Sequence, residues 1–128
     1  MAARSLRVLS CFSGIGGLDL AVSRVLPRAC AVCYVERELP AARILAARMA
    51  DGSLDSAPVW SDVRTVPDMV RADLVVGGFP CQDISTAGRG AGIHGERSGL
   101  WSEMARIVGE VRPRCVFVEN SPNLVQRG

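Results

Sequence analysis

Five short apolar runs, each ending at a polar residue or glycine, restrict this chain more than any single motif does. They are LRVLSCF (6–12), CAVCYVE (30–36), PVWSDV (58–63), DLVVGGF (73–79) and CVFVE (115–119). The segments between them change period. LDLAVSRVL reads as a helix behind the glycine-rich turn at Gly14, Gly16 and Gly17, and Ala41, Ile44, Leu45 and Met49 recur at helical spacing. Leu100, Met104, Ile107, Val108 and Val111 make a third apolar stripe, closed by Pro113. Strands alternating with helices predict an α/β fold: a doubly wound, mostly parallel open sheet covered on both faces. Ligands of such sheets bind outside the carboxyl ends of the strands, near the point where strand order reverses. The polar candidates fall at those ends: the three glycines after the first strand, then Glu36, Asp62, Cys81 and Glu119 after the next four.

At 128 residues, with 48% hydrophobic and 22% charged, the chain has the length and composition of one domain or a piece of one. A net charge of +2 leaves a nucleic-acid partner undecided, although every basic side chain is Arg, the better fork for phosphates and base edges. The amino terminus lacks a secretory apolar stretch and cleavage site, and no run approaches a membrane span. Five cysteines without an export signal fit a reduced, cytoplasmic setting. Cys30 and Cys33 form a C-x-x-C, but strand alternation would send them to opposite faces. No second Cys or His pair completes a metal site, so neither metal nor membrane is expected.

CFSGIGGLDLA (11–21) turns a strand into a helix through glycines that let the backbone approach a ligand. Glu36 lies twenty positions after Gly16, the interval at which an acidic residue meets ribose hydroxyls. The glycine spacing is not G-x-G-x-x-G and no Walker lysine follows. A nucleoside cofactor without phosphates, such as S-adenosylmethionine, suits the pattern, and a plain glycine-rich turn is the alternative. Cys81 leaves its strand behind Pro80 and precedes a glycine-rich stretch, residues 82–98, that reads as a lid. Cys11, Cys30, Cys33 and Cys115 have neighbours that suggest buried strand positions. His94 lies in the lid as a solvated loop residue, so a Cys–His hydrolase is not supported. Glu119 beside Cys81 suits another task, a thiolate adding to an electron-poor ring while an acid holds the ring nitrogen. Burial would raise the glutamate pKa and favour the donating form.

FSGIGGLDLA, GGFPCQDIS, GERSGLW and VFVEN occur in this order and together resemble the DNA cytosine-5 methyltransferases associated with restriction–modification. The resemblance runs from about residue 6 to residue 124. It implies a sheet of the S-adenosylmethionine-dependent methyltransferase type acting on double-stranded DNA. It implies a flipped cytosine attacked at carbon 6 by Cys81, with Glu119 and Asn120 holding the ring and carbon 5 taking the methyl group. By resemblance, Phe12, Ser13, Gly14, Ile15, Gly16, Gly17 and Leu18 line the cofactor. Glu36 would bind its ribose, Asp62 its adenine amine beside Val63, and Pro80 and Leu100 would border the same pocket. Gln82, Ser85, Arg89 and Arg97 would lie on the lid closing over DNA, the arginines toward phosphates.

Family members usually continue with a Gln-x-Arg-x-Arg segment, a target-recognition domain and a closing segment. Here Ser121 stands where the family usually has Val. The expectation is therefore that residues 1–128 are the amino-terminal part of the catalytic domain, with the sheet incomplete at its carboxyl end. A second chain could then supply target recognition. Two other readings stay open: a tRNA cytosine-5 methyltransferase, or a non-catalytic remnant or binding module.

Overall fold

A computed structural model describes residues 4–78 and 100–120. In chain order these form β1 (Leu6–Cys11), α1 (Gly17–Val25), β2 (Ala29–Val35), α2 (Leu39–Ala50), β3 (Val59–Trp60), a 3-10 turn (Val63–Thr65), β4 (Leu74–Gly77), α3 (Leu100–Val111) and β5 (Cys115–Val118). The sheet order is β3-β2-β1-β4-β5 and all four pairings are parallel. Strand order therefore reverses between β1 and β4, and the doubly wound expectation holds.

Alternation along the strands divides the core. Leu9, Cys11, Cys33, Val35 and Val75 pack with Met104, Ile107 and Val111 of α3 on one face. On the other, Val8, Leu74 and Val76 meet Leu18 and Val22 of α1, while Tyr34 packs with Leu45 of α2 and Leu54. Burying each such large side chain contributes roughly 1.5–3 kcal/mol, and it is these three helices, on two faces, that supply it. The amino ends of β1, β4 and β5 are tied at Asp73. Its carboxylate accepts from the Arg7 N–H at 3.0 Å, and its carbonyl accepts from the Arg114 N–H at 2.8 Å.

Several expectations need correction. The third strand is two residues long rather than 58–63, because Asp62 turns the chain by accepting from the Arg64 N–H and capping the 3-10 turn. Ile44 is exposed while its neighbour Leu45 is fully buried, so the sheet-facing side of α2 is narrower than the apolar spacing implied. The β1–β2 register slips between Val8 and Leu9, pairing Ala31 with Val8 and Cys33 with Leu9. That extra residue removes the strict alternation behind the opposite-face argument for Cys30 and Cys33. Cys11 and Cys33 are buried as expected, but Cys30 and Cys115 are exposed. For Cys115 the reason is position: β5 is the outermost strand and all four of its residues are exposed.

Candidate functional site

The chain leaves β1 through a tight turn. Phe12, Gly14 and Gly16 have φ of 52°, 56° and 83°, in the left-handed region. For Phe12, a residue with a side chain, that conformation is strained and must be held by its surroundings. The turn is fastened on both sides. The Ser13 N–H donates to Val35 O at 3.0 Å, and the Gly16 N–H to Ser13 O at 2.9 Å. At Gly16 a side chain would be strained by the left-handed φ, and its Cβ would push on Leu54 Cδ1 at 2.7 Å.

Glu36 lies against this turn. Its Oε2 accepts from the Gly14 N–H at 2.6 Å and its Oε1 from the Glu38 N–H at 2.7 Å. Each carboxylate oxygen keeps a second acceptor site for a ligand hydroxyl.

Asp62 lies at the end of β3, but its carboxylate is already gripped. Arg64 donates from Nε to Oδ1 at 3.0 Å and from Nη2 to Oδ2 at 2.9 Å. The Arg64 side-chain hydrogen bonds, with its backbone N–H, hold the Asp62 pKa down to about 2. The turn carrying Asp62 and Val63 is held from α3. Arg106 donates to Val63 O at 3.0 Å while pairing with Glu103 and Glu110.

Between the carboxyl ends of β1 and β4, at the reversal of strand order, lies a cavity of about 160 Å³. Ser10, Cys11, Phe12, Ser13, Leu18, Asp19, Gly77, Gly78 and Glu119 line it. Gly77 lets the strands close: a Cβ there would lie 2.8 Å from Cys11 O. At Gly78 a Cβ would meet the end of the Glu119 side chain, with Oε2 at 2.9 Å. The Glu119 N–H donates to Gly77 O at 3.0 Å, which carries the β4–β5 pairing one residue past the strands.

The structure thus brings Phe12, Ser13, Leu18 and Glu119 to one cavity, while Gly14 and Glu36 hydrogen-bond to each other. Phe12, Val63 and Leu100 pack around the same core cluster beneath. Ile15 is exposed, and its carbonyl accepts from Arg48 Nη1 at 2.7 Å. Gly17 opens α1, and Asn120 is half-buried beside Glu119. Glu119 itself is exposed, so the desolvation behind the expectation of a donating carboxyl is not supplied by the described residues. Pro80, Cys81, Gln82, Ser85, Arg89 and Arg97 lie outside the described residues. Of the described thiols, Cys11 is buried to the point that its pKa is pushed up to about 12, which makes it inert.

Two residues at the site escaped the sequence reading. Asp19 is buried against the sheet, where Ser10 Oγ donates to its Oδ2 at 3.0 Å. The available signal was an acidic residue three before Val22, on the stripe that helical spacing assigns to the core. Arg106 pairs at helical spacing with Glu103 and Glu110, but nothing local marks its reach to two backbone carbonyls more than forty residues away. Among the described residues no cluster of His, Cys, Asp or Glu could hold a metal ion. No helix among them is long and apolar enough to cross a membrane.

The family model for C-5 cytosine-specific DNA methylase matches residues 6–128. Type II methyltransferase M2.BsuMI of Bacillus subtilis is 31% identical over 125 residues, covering 94% of this chain and 30% of that protein. Type II methyltransferase M.HhaI of Haemophilus parahaemolyticus is 33% identical over 119 residues, covering 92% of this chain and 34% of that protein. The crystal structure of S. pombe Dnmt2 methyltransferase superposes with a TM-score of 0.72 at 23% identity, over 97% of this chain and 37% of that one, a likeness of fold. The chain spans about a third of the length of these two curated relatives.

Proposed function

Because the chain belongs to the C-5 cytosine-specific DNA methylase family, we propose that it is the amino-terminal part of a catalytic domain that methylates carbon 5 of cytosine in double-stranded DNA. The observation that carries this reading is the cavity at the β1–β4 reversal, where Phe12, Ser13 and Leu18 line one space with Glu119. The residues present fit S-adenosylmethionine. Closely approachable backbone surrounds the turn, a carboxylate sits at the end of β2, and the described residues build no pyrophosphate cradle. When bound, that cofactor supplies an electrophilic methyl group on a sulfonium.

This chain's residues then do the rest. The turn from Phe12 to Leu18 lines the cofactor, Glu36 accepts from its ribose, and Pro80 and Leu100 border the pocket. Asp62 accepts from the adenine amine by sharing one oxygen that Arg64 now grips. Cys81, three residues beyond Gly78, adds as thiolate to carbon 6 of the flipped cytosine, and the ring electrons move toward carbon 5. Glu119 and Asn120 hold ring nitrogen 3 and the exocyclic amine, so that negative charge developing on the ring is met by a donor. After carbon 5 takes the methyl group, it loses its proton and the thiolate leaves. Gln82, Ser85, Arg89 and Arg97 contact DNA, and a second chain supplies target recognition.

Duplex DNA carrying 5-fluorocytosine tests this reading, with cofactor and with a family member's carboxyl-terminal part added as a second chain. A covalent adduct that survives denaturation and is lost in Cys81→Ser is expected. No adduct under these conditions would leave only a binding remnant. Methyl transfer to tRNA and not to the duplex would move the substrate to RNA.

A further inference from the structure

Asp19 is the third residue of α1, 7% exposed, and lines the cavity at the β1–β4 reversal as well as a second one of about 180 Å³ beside it. Its Oδ2 accepts from Ser10 Oγ at 3.0 Å, whereas its Oδ1 has no hydrogen-bond partner among the described residues. Counting protons shows why. Ser10 and Ser13 carry one hydroxyl hydrogen each. Ser10 gives its hydrogen to Asp19, and that of Ser13 lies between Ser10 O at 3.0 Å and Ser10 Oγ at 2.8 Å. Neither hydroxyl hydrogen is left for Oδ1.

Nor does a cation offset the charge. No Arg lines either cavity among the described residues. Burial raises the Asp19 pKa against the hydrogen bonds from Ser10 and from its own backbone N–H, and no positive neighbour contributes to lowering it. A carboxylate in this position is costly unless a donor of positive charge reaches it.

We infer that Asp19 Oδ1 is the acceptor for a primary ammonium group of the ligand, namely the α-ammonium at the amino-acid end of the nucleoside cofactor. This rests on the cofactor reading given above and adds to it the recognition of the amino-acid end. The order of carboxylates across the sheet supports the assignment. Asp62 follows β3, Glu36 follows β2, and Asp19 lies at the β1–β4 reversal. The cofactor's own parts run in the same order: adenine, ribose, amino acid. An ammonium brings three donors and one positive charge, which satisfies Oδ1 and offsets the buried charge together.

The test compares S-adenosylhomocysteine with its deaminated analogue, which lacks only the ammonium, by calorimetry on the full chain. The wild-type chain is expected to prefer S-adenosylhomocysteine by about tenfold or more, the scale of one hydrogen bond to a charged group. In Asp19→Asn that preference should shrink to about twofold or less, with binding of the analogue unchanged. Equal binding of the two ligands by the wild-type chain would overturn the inference without any variant, while leaving the cofactor reading standing. A variant that weakens both ligands alike would overturn it too, reducing Asp19 to a support for the turn. Binding of neither nucleoside by the wild-type chain would remove the cofactor reading, and the inference with it.

Discussion

Arg106 on α3 donates through Nη2 to the carbonyl of Val63 at 3.0 Å, so the helix packed on one face of the sheet also holds the turn that presents Asp62. The same nitrogen reaches Arg64 O at 3.3 Å, and the rest of the guanidinium is held by Glu103 and Glu110. Replacing it with Leu frees two carbonyls and leaves two carboxylates without their partner. A loss of about 1.5–3 kcal/mol is expected in urea unfolding. Arg106→Lys should recover only part of it, since an ammonium lacks the planar fork. An unchanged urea midpoint for Arg106→Leu would contradict the clamp.

The glycines divide by cause. Gly77→Ala places a Cβ 2.8 Å from Cys11 O and 3.1 Å from Met104 Cε, and the backbone atom cannot swing aside. Overpacking of this kind costs about 1–3 kcal/mol. Gly14→Ala meets nothing within 4 Å but must hold φ at 56°, for which about 1–2 kcal/mol is expected. Each variant should lower the thermal unfolding midpoint, and an unchanged midpoint for Gly77→Ala would contradict the close approach of β1 and β4.

Arg64→Ala releases Asp62. The Asp62 carboxyl, held near 2 by the Arg64 side chain, should then titrate upward toward its ordinary range in a carbon-13 NMR titration. Nucleoside binding should tighten, because the carboxylate no longer has to exchange one partner for another. Weaker binding would show that Arg64 is needed to aim Asp62.

Asp19 has the opposite sign. Its folded pKa is raised by burial above the unfolded value, so its contribution to stability is fully present below about pH 4 and is lost as pH rises through the folded pKa. Asp19→Asn does not titrate. The stability of the variant relative to wild type should therefore be greater at about pH 7 than at about pH 4. A difference independent of pH would mean that Asp19 carries no buried charge.

Thiol labelling checks the burial pattern. In a Cys81→Ser chain, Cys30 and Cys115 should react with a disulfide reagent in the folded state, and Cys11 and Cys33 only on unfolding. The thiolate is the reacting species, and burial raises the pKa of both inner thiols. Fast labelling of Cys11 would be incompatible with the core described.

Much of this was legible in the residues. The order of strands and helices followed from a change of period between apolar runs. The end positions of Glu36, Asp62 and Glu119 followed from where those runs stop. Cys30 and Cys115 were misread because an apolar, β-branched neighbourhood marks a strand without saying whether another element covers it. Here β5 is outermost, so its thiol faces outward. Ile44 was misread because helical spacing gives a stripe, not its width.

Period and turn chemistry act over a few residues, so the sequence by itself determined the α/β alternation, the tight turn after β1 and the polar residues waiting at the strand ends. Strand order and register act across the whole chain, and only the tertiary structure decided them. β1 and β4 lie side by side although more than sixty residues separate them, and that neighbourhood makes the cavity. Packing of the helices on the sheet likewise buries Asp19 against Ser10 and carries Arg106 to the Val63 turn. A carboxylate's partners and its desolvation are properties of that packing, which no local pattern encodes.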